Sequence, residues 1–270
     1  MTLLDVRLSI DYPERPGVLD EACFSVGRGE IVGLVGASGS GKSSLALALL
    51  RLLNWKGGRA SGSIRFNGRE LMDCNEREMR AIRGKEIAFV PQSPSSSLNP
   101  AVRLGDQMIE AWRAHSKASK VDAQREVERA IDQVGLPADK VFLRRYPGEV
   151  SVGQAQRVLI AMAILHRPSL LITDEATSSL DLISQGEVLR LLADLSREFG
   201  MGILYISHDL ASIAGFCDRV AILHNGRIVE FGDTRRVFDA PEHPYAQALI
   251  GALPRVGRER PSGAGELVNR

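Results

Sequence analysis

Gly36-Ala37-Ser38-Gly39-Ser40-Gly41-Lys42-Ser43 is the stretch on which the fold turns. The apolar run before it, residues 30–36 (EIVGLVG), reads as a buried strand, and residues 41–53, rich in Ala and Leu, read as a helix. Strand, Gly-rich loop, helix is the setting in which G-x-x-x-x-G-K-[ST] binds nucleotide phosphates. Glycines let backbone N–H groups converge on phosphate oxygens with no Cβ in the way. The helix then presents its positive dipole end to the same anion. Lys42 can reach the β and γ phosphates, the Ser43 hydroxyl can bind Mg²⁺, and Ser44 completes the candidate loop set.

Downstream, Leu170-Leu171-Ile172-Thr173-Asp174-Glu175 is an apolar run that ends in two carboxylates. A buried strand would carry them to the sheet edge where the phosphate loop opens. Hard divalent cations prefer carboxylate and hydroxyl oxygens, so Asp174 with Ser43 forms a candidate Mg²⁺ shell. Glu175, one residue on, is placed to polarise an attacking water.

Between these motifs β-rich and helical patterns alternate, which indicates an α/β fold. Residues 63–67, followed by Gly68, read as a strand entering a tight turn; residues 87–90 read as a short buried strand. Residues 93–103 (SPSSSLNPAVR) read as a Pro/Ser-rich loop. Leu104, Met108, Ile109 and Trp112 then share one helical face, and Val127, Ala130, Ile131 and Val134 share another. Strand signals resume at residues 170–173, 202–206 and 219–223, and His224-Asn225-Gly226-Arg227 reads as a hairpin turn.

The 270 residues carry 34 Lys+Arg and 33 Asp+Glu, a net charge of +1 that gives no general electrostatic case for nucleic acid as a partner. No apolar run approaches the roughly 18 residues a membrane helix needs. The start, MTLLDVRLSIDYP, has Asp5 inside its apolar part and is not expected to be a secretory signal. Cys23, Cys74 and Cys217 are odd in number and far apart, and read as small buried or half-buried residues in a reducing compartment.

With these motifs in place the chain resembles the ATP-binding subunit of an ABC transporter, over residues 12–208. The resemblance implies a P-loop, RecA-like core with an antiparallel β subdomain and an inserted α-helical subdomain. The helical patterns read as a subdomain at 93–166, and the Gly-, Pro-, Arg- and Glu-rich end as a flexible tail at 255–270; the resemblance then places the nucleotide-binding core at residues 1–92 and 167–231 and a C-terminal extension at 232–254. It makes Gln92 the glutamine that contacts metal and water, and His208 the switch histidine at the γ-phosphate. Tyr12 becomes the aromatic that stacks on adenine, and Ser179-Leu180-Asp181 a loop bridging two nucleotide sites. Ser151-Val152-Gly153-Gln154 resembles the family signature LSGGQ. Independently of the family, Ser151 and Gln154 form a capping box that opens a helix, and a helix N-terminus is an anion site. The resemblance implies that Ser151, Gly153 and Gln154 act in trans, on ATP held by a second subunit's phosphate loop.

Three residues depart from the family pattern: Val152 at the first signature glycine, Ala176 at a usual proline, and Ser93 at a position that is often acidic. Val152 would crowd the γ-phosphate if the backbone must approach closely or adopt unusual dihedrals. As the first helical residue it would be tolerated. Lys42, Asp174, Glu175 and His208 are all present, so an active ATPase is expected.

Residues 91–100 (PQSPSSSLNP) and His243-Pro244-Tyr245 resemble the oligopeptide, dipeptide and nickel importer subfamily. That resemblance implies two membrane permease subunits, a second ABC ATPase (a copy or a different chain), indirectly an extracytoplasmic solute-binding protein, and a peripheral position on the cytoplasmic face of the membrane. Peptide, nickel and related solutes stay open. With no cysteine after Cys217, no iron–sulfur cluster is expected. Two other functions are less well served: a soluble ABC ATPase of DNA repair or the ribosome, which usually has two cassettes or basic arms, and a non-hydrolysing nucleotide-binding regulator.

Overall fold

β1 (Thr2–Tyr12) and β2 (Arg15–Gly27) alternate buried and exposed positions, as strands with one face on a core and one in water do. The structure, a computed structural model, describes residues 1–253. The expected flexible tail, 255–270, lies outside them. β3 (Ile31–Gly36) is buried at every position and feeds the phosphate loop and α1 (Lys42–Leu49). The helix stops short of residue 53. The Leu50 carbonyl accepts from Arg83 Nε at 2.6 Å, Arg51 takes a φ of 54°, and Leu53–Lys56 form a separate short turn of 3₁₀ helix. Tertiary hydrogen bonds thus take over where the helical ladder would have continued.

β4 (Arg59–Phe66) turns through Asn67 and Gly68, both at positive φ, into β5 (Arg69–Glu70). These strands form an antiparallel sheet in the order β2-β1-β4-β5. α2 (Glu76–Ile82), capped by Asn75, leads to β6 (Ile87–Val90). The expected loop at 93–103 contains one turn of helix, α3 (Pro94–Ser97), because Pro94 presets its first turn and the Ser96 and Ser97 hydroxyls donate to the Ser93 carbonyl.

α4 (Leu104–Arg113), α5 (Lys120–Gln133), α6 (Lys140–Leu143) and α7 (Val152–Ile164) follow with no strand between them. The chain then returns to the core through β7 (Leu170–Asp174), α8 (Leu182–Phe199), β8 (Gly202–Ile206), α9 (Leu210–Phe216) and β9 (Arg219–His224). β10 (Arg227–Asp233), α10 (Thr234–Asp239) and α11 (Pro244–Gly251) end the described chain.

The second sheet has the order β10-β9-β3-β8-β7-β6, parallel throughout except for the β9–β10 hairpin. Its central strands are covered on both faces, so alternate residues enter different cores. Val35, Leu171, Tyr205 and Ile222 join the core built with Met108, Val127 and Leu192 of the helices. Leu34, Ile172, Leu204 and Leu223 join the core under α1 and the antiparallel sheet, with Leu4, Phe24 and Leu45. At about 2 kcal/mol per buried aliphatic side chain, this double coverage fixes the register. The result is the α/β fold expected from the sequence, with an antiparallel sheet and an inserted helical region. The cysteines differ from expectation at one position: Cys74 and Cys217 are buried, but Cys23 is exposed. The phase of β2 turns Ala22, Phe24 and Val26 inward and therefore Cys23 outward.

Candidate active site

The parallel strands all end at one edge, and the phosphate loop, Gln92, Asp174, Glu175 and His208 lie at or just past those ends. β3 ends in Gly36, where a Cβ would come within 2.4 Å of the Leu223 carbonyl oxygen and 2.9 Å of Ser40 Oγ. Gly41 holds a φ of 106°, and a side chain there would strike Val18 and Leu19. Both glycines are therefore required by contact or conformation.

Lys42 opens α1 and is buried; its Nζ donates to the carbonyls of Gly36 (2.8 Å) and Ala37 (3.0 Å). Burial pushes its pKa down, while the nearby carboxylates of Glu175 and Asp174 oppose the shift. Asp174 is the last residue of β7. Burial raises its pKa, a hydrogen bond from Ser43 and the charge of Lys42 act against the rise, and Glu175 adds to it. Asp174 Oδ1 is buried with no protein partner. A buried carboxylate oxygen left open beside a serine hydroxyl suits a hard cation, and so the residues fit Mg²⁺.

Glu175 takes a left-handed φ of 51°, which costs on the order of 1 kcal/mol for a residue with a side chain. Its N–H still donates to Ile206 O at 2.9 Å, so the strand pairing survives while the side chain is re-aimed. Glu175 Oε2 accepts from Gln92 Nε2 at 2.9 Å, and Oε1 lies 3.2 Å from His208 Nδ1. Gln92, Glu175 and His208 come from the ends of β6, β7 and β8, three adjacent strands. Sheet order brings together residues that span 116 positions in the chain (208 − 92).

Tyr12, at the end of β1, shares a 3.0 Å hydrogen bond with Ser44 Oγ. With Lys42, Ser43, Gln92 and Glu175 it lines a cavity of about 500 Å³. Glu14 of the β1–β2 turn and Arg15 and Val18 of β2 line the same cavity and were not marked by the sequence. No motif marks them; only the β1–β2 hairpin, which pairs Tyr12 with Arg15, carries that turn over the loop.

Ser151, Gly153 and Gln154 do not line this cavity. Ser151 Oγ accepts from Gln154 N at 3.2 Å and Gln154 Oε1 accepts from Ser151 N at 3.1 Å, which closes the capping box of α7. Val152 is the first residue of α7, is 54% exposed and is not among the positive-φ residues. The backbone strain considered for it is therefore absent. Asp181 caps α8 by accepting from the N–H groups of Ile183 and Ser184, both at 3.0 Å.

Among the described residues no helix is long and apolar enough to cross a membrane. Residues 19–178 match the family model described as ABC transporter, and residues 229–268 match the model described as oligopeptide/dipeptide transporter, C-terminal region. The chain is 42% identical over 260 residues to the oligopeptide transport ATP-binding protein OppD of Escherichia coli K12, covering 96% of this chain and 77% of that one. It is 42% identical over 240 residues to the glutathione import ATP-binding protein GsiA of the same strain, covering 87% of this chain and 38% of GsiA. Among solved structures, cbiO1 of Clostridium perfringens, part of the ABC transporter complex cbiONQ, superposes with a TM-score of 0.78 at 25% identity, covering 88% of this chain and 91% of that one. With fold, phosphate loop and relatives in agreement, the chain belongs to the ABC transporter family, as an ATP-binding, ATP-hydrolysing subunit.

Proposed function

We propose that this chain powers an importer of peptide-class solutes from the cytoplasmic face of a membrane, working with two permease subunits and a second ATPase subunit. The observation that carries the reading is the bridge from Gln92 through Glu175 to His208 beside the buried Lys42. Lys42 and the loop amides bind the phosphates of ATP and offset charge that spreads over the γ-phosphoryl group as its bond to the leaving oxygen loosens. Glu175 orients the attacking water and accepts its proton. His208 and Gln92 each hold one oxygen of Glu175, so the carboxylate is fixed before substrate arrives. Asp174, Ser43 and Gln92 are the residues that would hold Mg²⁺, which when bound neutralises phosphate charge. Tyr12 and the β1–β2 hairpin line the same cavity as Glu175, where Tyr12 would stack on adenine.

The capped but exposed start of α7 would complete the site of a second subunit, and the second subunit would complete this one. Closure of the pair then drives the permeases between two states. The match of the C-terminal region and the identity to OppD and GsiA favour peptides over nickel as cargo. Co-expression with candidate permeases and a second ATPase, followed by reconstitution into vesicles, tests this. ATP-dependent uptake of a labelled short peptide is expected, and ATP turnover without uptake of any peptide would refute the cargo.

A further inference from the structure

His243-Pro244-Tyr245 takes no part in the chemistry above, yet it lies close to the phosphate loop. β9 runs parallel to β3 with Leu223 opposite Gly36, and the Leu223 carbonyl leaves no room for a Cβ on Gly36. The first residue of the phosphate loop thus rests on the backbone of Leu223. The next residue, His224, stacks on the Tyr245 ring with centroids 3.6 Å apart and planes 18° from parallel.

Tyr245 is itself held firmly. The Glu230 carboxylate accepts from the N–H groups of Glu242 (3.1 Å) and His243 (3.2 Å), and His243 Nδ1 accepts from Tyr245 N (3.1 Å). Ala246, the following residue, is fully buried. A cavity of about 400 Å³ is lined by Ser38, Gly39 and Ser40 of the loop together with His224 and Tyr245. Ser38 and Gly39 also line the nucleotide cavity, so the same loop residues border both spaces. The loop takes its position from its anchored end, and that anchor is the Leu223 backbone, next to the His224 ring on which Tyr245 stacks.

We propose that Tyr245, acting through His224, is a positioning residue for the phosphate loop, so that the ATP affinity of this subunit depends on docking of its C-terminal helix. The proposal rests on ATP binding at the phosphate loop and is independent of the cargo. Stacking holds His224 in one rotamer and fixes the end of β9. Without it the loop would sample positions in which its N–H groups no longer converge on the phosphates.

The test is ATP titration by calorimetry on the full chain, with melting temperature recorded in parallel, for the wild type and Tyr245→Ala, Tyr245→Phe, His224→Ala and the Tyr245/His224 double alanine variant. Tyr245→Ala and His224→Ala should each weaken ATP binding about three- to tenfold, the range an aromatic pair allows. The double variant should be no weaker than either single one, and Tyr245→Phe, which keeps the stack, should restore wild-type affinity. Unchanged affinity with a lowered melting temperature would overturn the proposal and leave the helix a purely structural role. So would additive losses in the double variant, or a Phe variant as weak as Ala. If Tyr245→Ala does not fold, His224→Ala, with α11 intact, decides alone. A wild-type chain that binds no ATP would overturn the phosphate-loop reading as well.

Discussion

The phosphate-loop edge and the start of α7 are built in opposite ways. At the edge Lys42 and Asp174 are buried, and Gln92 and His208 each hold one oxygen of Glu175. At the start of α7 the helix is fully capped by its own residues, yet Val152 is 54% exposed, and nearby Leu182 and Ile183 are 86% and 78% exposed. The first region is a preorganised set of side chains around one cavity. The second is a finished surface that faces no site of its own. That contrast supports the proposal that the chain holds two different half-sites and that hydrolysis belongs to an assembled pair.

The sharpest way to break the contrast is Glu175→Gln. Turnover of the assembled complex should fall by about 10²–10⁴, the usual weight of a positioned base, with ATP affinity retained. Loss of affinity instead would make Glu175 a binding group. Asp174→Asn should also abolish turnover, but with a gain in stability of the nucleotide-free chain. Burial raises the Asp174 pKa, so the folded state disfavours the carboxylate. Stabilisation from such a group is complete below its unfolded pKa and lost as pH rises through its folded pKa. The Asn variant should therefore melt higher than wild type at pH 7, with the difference closing in acid. A lower melting temperature at pH 7 would mean that the Asp174 carboxylate is held by the apo protein after all.

Smaller effects probe the other half. Ser151→Ala removes the cap of α7 and should cost about 1 kcal/mol of stability in denaturant titration. It should also lower turnover only in the assembly, with ATP binding by the isolated chain unchanged. Val152→Gly should be the mildest, within about 0.5 kcal/mol and twofold in assembled turnover, because Val152 is an unstrained, exposed first helical residue. A large gain in turnover would show that the isopropyl group crowds the partner's nucleotide.

Much of this arrangement was legible in the sequence where the signal is local. The phosphate loop depends on glycines at fixed spacing, and the start of α7 on a serine and glutamine three residues apart, so both can be read from a few neighbouring letters. The α/β class follows from alternating apolar runs. What was not legible depends on contacts distant in sequence. The early end of α1 depends on Arg83 reaching Leu50, 33 residues away. The Arg15 and Val18 wall depends on a hairpin crossing the loop, and the left-handed Glu175 has no composition cue. The His224–Tyr245 stack joins a turn and a helix 21 residues apart, and neither residue alone distinguishes a packing role from a surface one.

The most direct measurement is ATP turnover by the chain alone and in complex with permeases and a second ATPase subunit, with Glu175→Gln as control. Turnover should be near the control for the isolated chain, rise well above it on assembly, and fall back to it in the Glu175→Gln complex. Full turnover by the monomeric chain alone, or none above the control in any assembly, would contradict the division into two half-sites.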